Sequence, residues 1–265
     1  MTLSERLHAR FGEAGLRRAD EFLLPLQVGP YFRTDPTDQA TLGAYADSLG
    51  VTVPGAADGS WTRLGDDRGF ELCADAEGVV RAVLLGYGEP SRFVSSSPET
   101  FAEGLLELDL ALGAMAGADE PAEASAVFRR LEERLRAADP EAFADRENWW
   151  PLVLDDIRDT ASAQWFAAME VVDAAGEKKI FTQASDICLH PEERLWSSLQ
   201  AAGVQPEQVT RIHTDLEACF MPGHYCSMWL GRVFPDSGLS HTFPYGETAA
   251  SRAEGLRRLR ESADA

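Results

Sequence analysis

Hydrophobic and polar positions in the first half of the chain predict a mixture of helices and strands. Residues 4–19 and 37–48 have the spacing of short helices. Between residues 62 and 94, two apolar runs flank an Asp-Ala-Glu-Gly turn, which predicts a β-hairpin. Ser97 followed by Pro98 is an arrangement typical of a helix start, so a helix is expected there. These elements predict an α+β N-terminal domain.

The C-terminal half alternates strands and helices more clearly. Four strands and three helices are predicted, in the order strand 164–173, strand 179–185, helix 192–202, strand 209–214, helix 224–233, strand 239–245 and helix 249–261. Strands that alternate with helices in this way are typical of a layered α/β domain. The two halves are therefore expected to belong to different fold classes.

A small, acidic stretch at 114–123 marks the boundary between the halves. A helix predicted over 124–138 follows it and ends at Asp139-Pro140, because the residue before a proline disfavours helical backbone. Trp149 and Trp150 come next, and paired large aromatics of this kind are typical of a packing anchor. We therefore predict an N-terminal domain over 1–118, a helical linker over 119–160 and a C-terminal domain over 161–265.

Acidic charge is concentrated in the first part of the chain. Residues 160–265 hold 14 acidic and 9 basic side chains, so the first 159 residues carry −15 of the formal net charge of −20. Lys and Arg are the residues that grip nucleic-acid phosphates, and this part shows no basic stripe, so duplex binding by it is not expected. An acidic surface suits a basic partner protein. The alternative is that the charge only maintains solubility.

The remaining composition bears on location and redox state. Apolar runs are too short for a membrane span, and the N-terminal residues lack the apolar core of a secretion signal, so we expect a cytoplasmic protein without membrane contact. The four cysteines are too few to form a disulfide framework in 265 residues. They are interpreted as core thiols or metal ligands. Cys73, in the predicted hairpin, is assigned to the core.

One histidine, one glutamate and two cysteines form the candidate site of the C-terminal domain. His190 and Glu192 flank Pro191 at a predicted helix start, while Cys219 and Cys226 flank the start of the next helix. One imidazole and two thiols are ligands that zinc accepts, and a catalytic zinc leaves its fourth position for water. Glu192 would then exchange protons with that water.

Other interpretations of these residues remain open at this point. A His-x-Glu triplet and two cysteines separated by six residues are each common by chance. Cys219 and Cys226 could be buried apolar thiols, and His190 a surface residue. Cys188 could replace Cys219 as a ligand. The order of the four candidate residues, at successive helix starts of one α/β domain, is what favours the metal site.

The C-terminal half resembles the zinc-dependent cytidine-deaminase-like superfamily, in particular the nucleotide and nucleic-acid deaminase domains of bacterial polymorphic toxin systems. Three segments carry the resemblance, 189–194 (LHPEER), 214–226 (TDLEACFMPGHYC) and 241–246 (HTFPYG). It implies a three-layer α/β domain with a mixed sheet, zinc bound by His190, Cys219 and Cys226, and Glu192 as general acid/base. His224 and Tyr225, between the two cysteines, are candidates for the substrate pocket.

The N-terminal half resembles the fourth family of the SUKH superfamily of bacterial immunity proteins, over roughly residues 5–115. Leu64-Gly65, the hairpin from Phe70 to Leu85 and the Phe93–Ser97 segment carry this resemblance. The resemblance implies a domain that acts by binding a partner. A basic toxin is the partner that the acidic charge suits.

These features together predict an enzyme that uses zinc to deaminate a nucleobase in a nucleoside, a nucleotide or a nucleic acid, in a toxin–immunity context. The alternative is an immunity or toxin-neutralising binding protein whose deaminase-like domain is inactive. One departure bears on this choice: the superfamily's usual Pro-Cys-x-x-Cys pattern is altered, since Ala218 precedes the first cysteine and six residues separate the pair. A protein that combines both activities is the third candidate.

Overall fold

The chain folds into two compact units, Met1–Leu154 and Asp155–Ala265. The computed structural model describes residues 1–88 and 91–263. Within this described part, none of the helices combines the length and the apolar character that a membrane span requires.

The first unit is an α+β domain built on a six-stranded antiparallel sheet. Its strands are, in spatial order, β3 (Gln27–Val28), β4 (Phe32–Arg33), β5 (Thr62–Asp66), β6 (Glu71–Ala74), β7 (Val80–Val83) and β8 (Arg92–Ser95). A separate antiparallel hairpin comprises β1 (Leu16–Ala19) and β2 (Phe22–Pro25). The helices are α1 (Leu3–Phe11), α2 (Leu42–Leu49), α3 (Pro98–Ala116) and α4 (Pro121–Ala138). This architecture confirms the predicted fold class of the N-terminal half.

The first helix is shorter than predicted. Thr2 and Glu5 form a capping box at the start of α1, and the helix ends where Gly12 takes a φ of 68°. The predicted helix over 4–19 was therefore wrong beyond Phe11. The residues that follow Gly12 form a short 3₁₀ turn and then the β1–β2 hairpin, whose turn places Asp20 at a φ of 55°.

The helices α3 and α4 both lie within the first unit. Ser97 caps α3 by accepting a hydrogen bond from the Thr100 backbone N–H, as expected for a helix start with proline at its first position. Asp139, directly after α4, accepts hydrogen bonds from the hydroxyls of Ser95 and Ser96 at 2.7 Å. These bonds tie the end of α4 to the end of β8. The three-part division at residues 118 and 160 stays a prediction.

The tryptophan pair is buried, as predicted. Trp149 and Trp150 begin α5 (Trp149–Ser162), and their rings meet edge to face at 4.8 Å between centroids. The indole N–H of Trp149 donates to Asp67 Oδ2 at 2.8 Å. Phe101 of α3 packs against both rings. The pair thus packs in the core of the first unit, where the buried indole N–H of Trp149 is satisfied.

Gly65 of β5 leaves room for a close approach of the neighbouring strand. A Cβ added at this position would lie 2.4 Å from the Arg33 carbonyl oxygen and 2.7 Å from the Phe32 ring. We expect Gly65→Ala to lower the free energy of unfolding by about 1–3 kcal/mol or more, because a backbone oxygen must move to relieve the overlap. Urea unfolding of the full chain measures this change.

Gly55→Ala is the matched control, because a Cβ at Gly55 would meet no atom of the described residues within 4 Å. We expect that control to be neutral or stabilising by about 0.4–1 kcal/mol, through the lower entropy of the unfolded chain. Equal effects of the two substitutions would contradict the close approach at Gly65.

The second unit is an α/β domain around a four-stranded mixed sheet. Its strands are β9 (Phe166–Val172), β10 (Lys178–Ala184), β11 (Val209–Leu216) and β12 (Gly238–Phe243), in the spatial order β10-β9-β11-β12. β9 is antiparallel to β10 and β11, whereas β11 is parallel to β12. The helices are α6 (Pro191–Ala201), α7 (Cys226–Val233) and α8 (Ala249–Ala263). The mixed sheet and the order of elements confirm the predicted fold class of this half.

Alternation along β9 shows how the sheet faces its core. Ala167, Met169 and Val171 are buried, and the residues between them are partly exposed. Helix α6 packs against β9 and β10, and α8 packs against β11 and β12. The candidate metal ligands lie where α6 and α7 begin, beyond the ends of the strands that precede them.

Candidate metal centre and active site

Helix starts position the candidate ligands. His190 is the residue before α6 and has extended backbone, with Pro191 at the first helical position. Cys226 is the first residue of α7, and Cys219 lies in the loop between β11 and α7. The Cys219 carbonyl accepts hydrogen bonds from both the backbone N–H and the hydroxyl of Ser227, each at 3.1 Å. The loop is thereby tied to the first turn of α7.

The structure brings His190, Cys219 and Cys226 together. His190 Nδ1 lies 3.4 Å from the Sγ atoms of both cysteines, and the three ligand atoms are all within 4.8 Å of one another. Tetrahedral zinc with bonds of about 2.0–2.3 Å would separate a nitrogen and a sulfur ligand by roughly 3.6 Å. The donor types and their spacing therefore fit a zinc ion.

The protonation of the two thiols differs although both are buried. Burial opposes ionisation of Cys219, but the thiol of Cys226 and the charge of His190 outweigh it and hold the pKa of Cys219 well below its usual value. Burial and the neighbouring Cys219 thiolate raise the pKa of Cys226 well above its usual value. Cys219 is thus the thiol of the pair that ionises more readily, and metal binding requires both thiols to lose their protons.

Glu192 lies two residues after His190, in the first turn of α6, and has the properties of a proton carrier. Its side chain is buried, and its Oε2 has no hydrogen-bond partner among the residues that the structure describes. Burial raises the pKa of Glu192 to about 7, although the charge of His190 opposes this shift. A carboxyl group that titrates near neutral pH is suited to both taking and giving a proton.

Asp156 joins the two buried histidines of the site, His190 and His224. This role was not predicted from the sequence. Its Oδ1 lies 2.8 Å from His190 Nε2, and its Oδ2 lies 3.1 Å from His224 Nε2. His224 Nδ1 lies 2.7 Å from Glu193 Oε2, and the two histidine rings stack at 4.0 Å and 6°. The available signal was the acidic triplet of Asp155, Asp156 and Asp159 in a helix that is otherwise largely apolar.

His224 and Tyr225, the candidate substrate-pocket residues, are both buried. Burial lowers the pKa of His224, but the carboxylates of Asp156 and Glu193 outweigh it and raise this pKa to about 9. Tyr225 has a left-handed backbone with φ of 43° directly before α7, and its ring meets Phe220 edge to face. The His224 ring stacks on the His190 ring, and both rings contact the Asp156 carboxylate. A role of either residue in substrate binding stays a prediction.

Three further residues, Cys188, Cys73 and Arg252, are buried outside the cluster of candidate ligands. The backbone N–H of Cys188 donates to Thr160 Oγ1 at 3.0 Å, which fixes the turn before His190. Cys73 is buried in the core of the first unit, as predicted. Arg252 of α8 is buried although it is charged, and its guanidinium donates to the Glu247 carbonyl oxygen at 2.7 Å. A backbone acceptor thus satisfies part of the buried guanidinium.

Comparison with protein families identifies both halves of the chain. Residues 9–156, more than half of the chain, match the model of the SUKH-4 immunity protein. The chain belongs to the SUKH-4 immunity protein family. Residues 162–262 match the model of the Xanthomonas-like deaminase. Comparison with curated proteins gave no match, and neither did comparison with solved structures.

Both resemblances predicted from the sequence are thus confirmed. An immunity domain and a deaminase-like domain in one chain indicate a toxin–immunity context for this SUKH-4 protein. The four chemical residues His190, Glu192, Cys219 and Cys226 lie inside the deaminase match, whereas Asp156 precedes it and is the last residue of the SUKH-4 match.

Proposed function

We propose that the second unit is a zinc-dependent deaminase that hydrolyses the exocyclic amino group of a nucleobase in a nucleoside, a nucleotide or a nucleic acid. One observation carries the proposal. Two thiols and an imidazole nitrogen lie within 4.8 Å of one another, and the buried Glu192, whose Oε2 has no hydrogen-bond partner in the described part of the chain, interacts electrostatically with His190 and Cys219. A structural zinc site has no need of such a carboxyl group.

His190, Cys219 and Cys226 would hold the zinc ion. Zinc with three protein ligands supplies Lewis-acid chemistry and makes water nucleophilic near neutral pH. Glu192 Oε2 would accept one proton as water adds to the amino-bearing ring carbon and would pass it to the ring nitrogen. It would then carry the second proton from the added hydroxyl to the departing amine. Water and the amino-bearing base thereby become the oxo base and ammonia.

The SUKH-4 unit would bind a basic toxin domain. This proposal rests on the SUKH-4 match and on the net charge of −15 in the first 159 residues. Binding of the full chain to cationic toxin domains, measured at low and at high salt, tests it. Affinity should fall as salt rises, because exposed charges are screened beyond about 10 Å at 0.1 M ionic strength.

A second candidate function is a binding protein whose deaminase-like domain is inactive. The enclosure of the site favours it, because His190, Glu192, Cys219 and Cys226 are each at most 3% exposed and a substrate needs an opening. Ammonia release from a panel of bases, nucleosides, nucleotides and single-stranded oligonucleotides decides between the two. Release from one substrate class supports the enzyme. No release from zinc-loaded protein supports the binding protein.

A further inference from the structure

The two nitrogens of the His190 ring face different chemical groups. Nδ1 is directed at the thiols, 3.4 Å from each Sγ, and Nε2 lies 2.8 Å from Asp156 Oδ1. His190 and Asp156 are both almost completely buried. Solvent therefore does not compete for either nitrogen.

A carboxylate on one nitrogen decides what the other nitrogen can do. An imidazole that binds a metal through one nitrogen carries its hydrogen on the other, and an ionised carboxylate can only accept that hydrogen. With Asp156 in place, the hydrogen stays on Nε2 when the ring gives up a proton to bind a metal, and the lone pair of Nδ1 is then directed at the thiols. Without Asp156, nothing in this contact would favour that tautomer over the opposite one.

We propose that Asp156 is the positioning residue of the metal centre: it holds the Nε2–H of His190 and so presents Nδ1 for metal binding together with Cys219 and Cys226. The inference rests on the proposed function for the metal, and extends it to a residue that lies before the deaminase match over 162–262. Carboxylate groups of this kind orient metal-binding histidines and raise their affinity for the metal.

His224 holds the carboxylate in this orientation. Its Nε2 lies 3.1 Å from the second oxygen of Asp156, and its Nδ1 lies 2.7 Å from Glu193 Oε2. The His224 ring also stacks on His190 at 4.0 Å, nearly parallel. Because both oxygens of Asp156 are engaged by two stacked rings, the carboxylate cannot turn away from His190 without breaking the contact with His224.

Zinc affinity of the full chain tests the inference directly. Zinc is titrated against a chromophoric chelator with wild type, Asp156→Asn and Asp159→Asn. Asp159 is the matched control, because it lies on the same helix, is equally buried and accepts a hydrogen bond from the Tyr245 hydroxyl at 2.8 Å. We expect the Kd for zinc to rise about 10–100-fold in Asp156→Asn and to change less than about threefold in Asp159→Asn.

A second measurement uses only the wild type, so it tests the inference even if Asp156→Asn fails to fold. The chain has five histidines, so ¹⁵N-histidine NMR of the zinc-loaded wild type gives a small set of ring signals. The inference requires that the metal-binding ring carries zinc on Nδ1 and hydrogen on Nε2. The opposite assignment would overturn it.

The outcomes separate this inference from the proposed function. If wild type and Asp156→Asn bind zinc with the same Kd, the positioning role is overturned and the proposed zinc site is unaffected. Wild type that binds no zinc overturns both. Zinc affinity that depends on Asp156 supports the positioning role, even where no substrate in the ammonia-release panel is deaminated.

Discussion

Replacing Glu192 with glutamine is expected to leave zinc binding intact while deamination falls by at least about 10²–10⁴-fold, the range for a lost general acid/base. Glutamine has nearly the same shape but cannot accept a proton at the position of Oε2. Since Glu192 is not among the three candidate ligands, the metal set is unchanged. Zinc content by atomic absorption and ammonia release on the same preparation measure the two expected results.

Glu207→Gln is the matched control for this substitution. Glu207 is exposed in the second unit and undergoes the same chemical change, so its turnover should equal that of wild type. Full activity of Glu192→Gln on a substrate that wild type deaminates would remove Glu192 from the reaction. Loss of zinc together with activity would instead assign Glu192 a role in holding the site together.

Local patterns explain why the second unit could be predicted from the sequence. The predicted helix over 192–202 corresponds to α6 (Pro191–Ala201), and the predicted strand over 164–173 contains β9 (Phe166–Val172). Pro191 at a helix start and alternating burial along a strand are signals within a few residues of each other. His190 and Glu192 could be recognised for the same reason, because they lie two residues apart at one helix start.

Contacts between distant positions explain what could not be predicted. Asp156 and His190 are 34 residues apart, and no periodicity along α5 reveals a partner on another element. Arg17 of β1 is a similar case, because it is buried against Thr34 Oγ1 and the Leu64 carbonyl oxygen although its side chain is charged. Such a residue looks like a surface position in the sequence, so the pattern over 4–19 predicts a helix that runs through β1.

The helix α5 shows why family boundaries and functional boundaries differ in this chain. Its first residues, Trp149 and Trp150, belong to the core of the first unit, and Asp156 and Asp159 belong to the second. The SUKH-4 match ends at 156 and the deaminase match begins at 162. A carboxylate that contacts a candidate metal ligand therefore lies just outside the segment that the deaminase family model describes.

Removing the metal is expected to destabilise the second unit. Zinc at 1,000 times its Kd stabilises the folded state by about 4 kcal/mol, because it binds the native ligand set and not the dispersed ligands of the unfolded chain. A chelator should therefore speed hydrogen exchange in α6, α7 and the strand β11 that precedes the Cys219 loop. Hydrogen exchange with mass spectrometry measures this by segment, with the first-unit strands β5 to β7 as the internal reference.

Cys219→Ser should reproduce the effect of the chelator with zinc present, because it removes one of three ligands from a buried site. Cys188→Ala is the matched control: Cys188 is also buried and lies two residues before His190, but it is not among the clustered ligand atoms. Its variant should keep zinc and zinc-dependent protection, which also tests the alternative in which Cys188 replaces Cys219 as a ligand. If Cys188→Ala loses zinc and Cys219→Ser retains it, the ligand set is His190, Cys188 and Cys226. If chelation changes exchange nowhere in the second unit, the cluster of one histidine and two cysteines is a packing arrangement without metal.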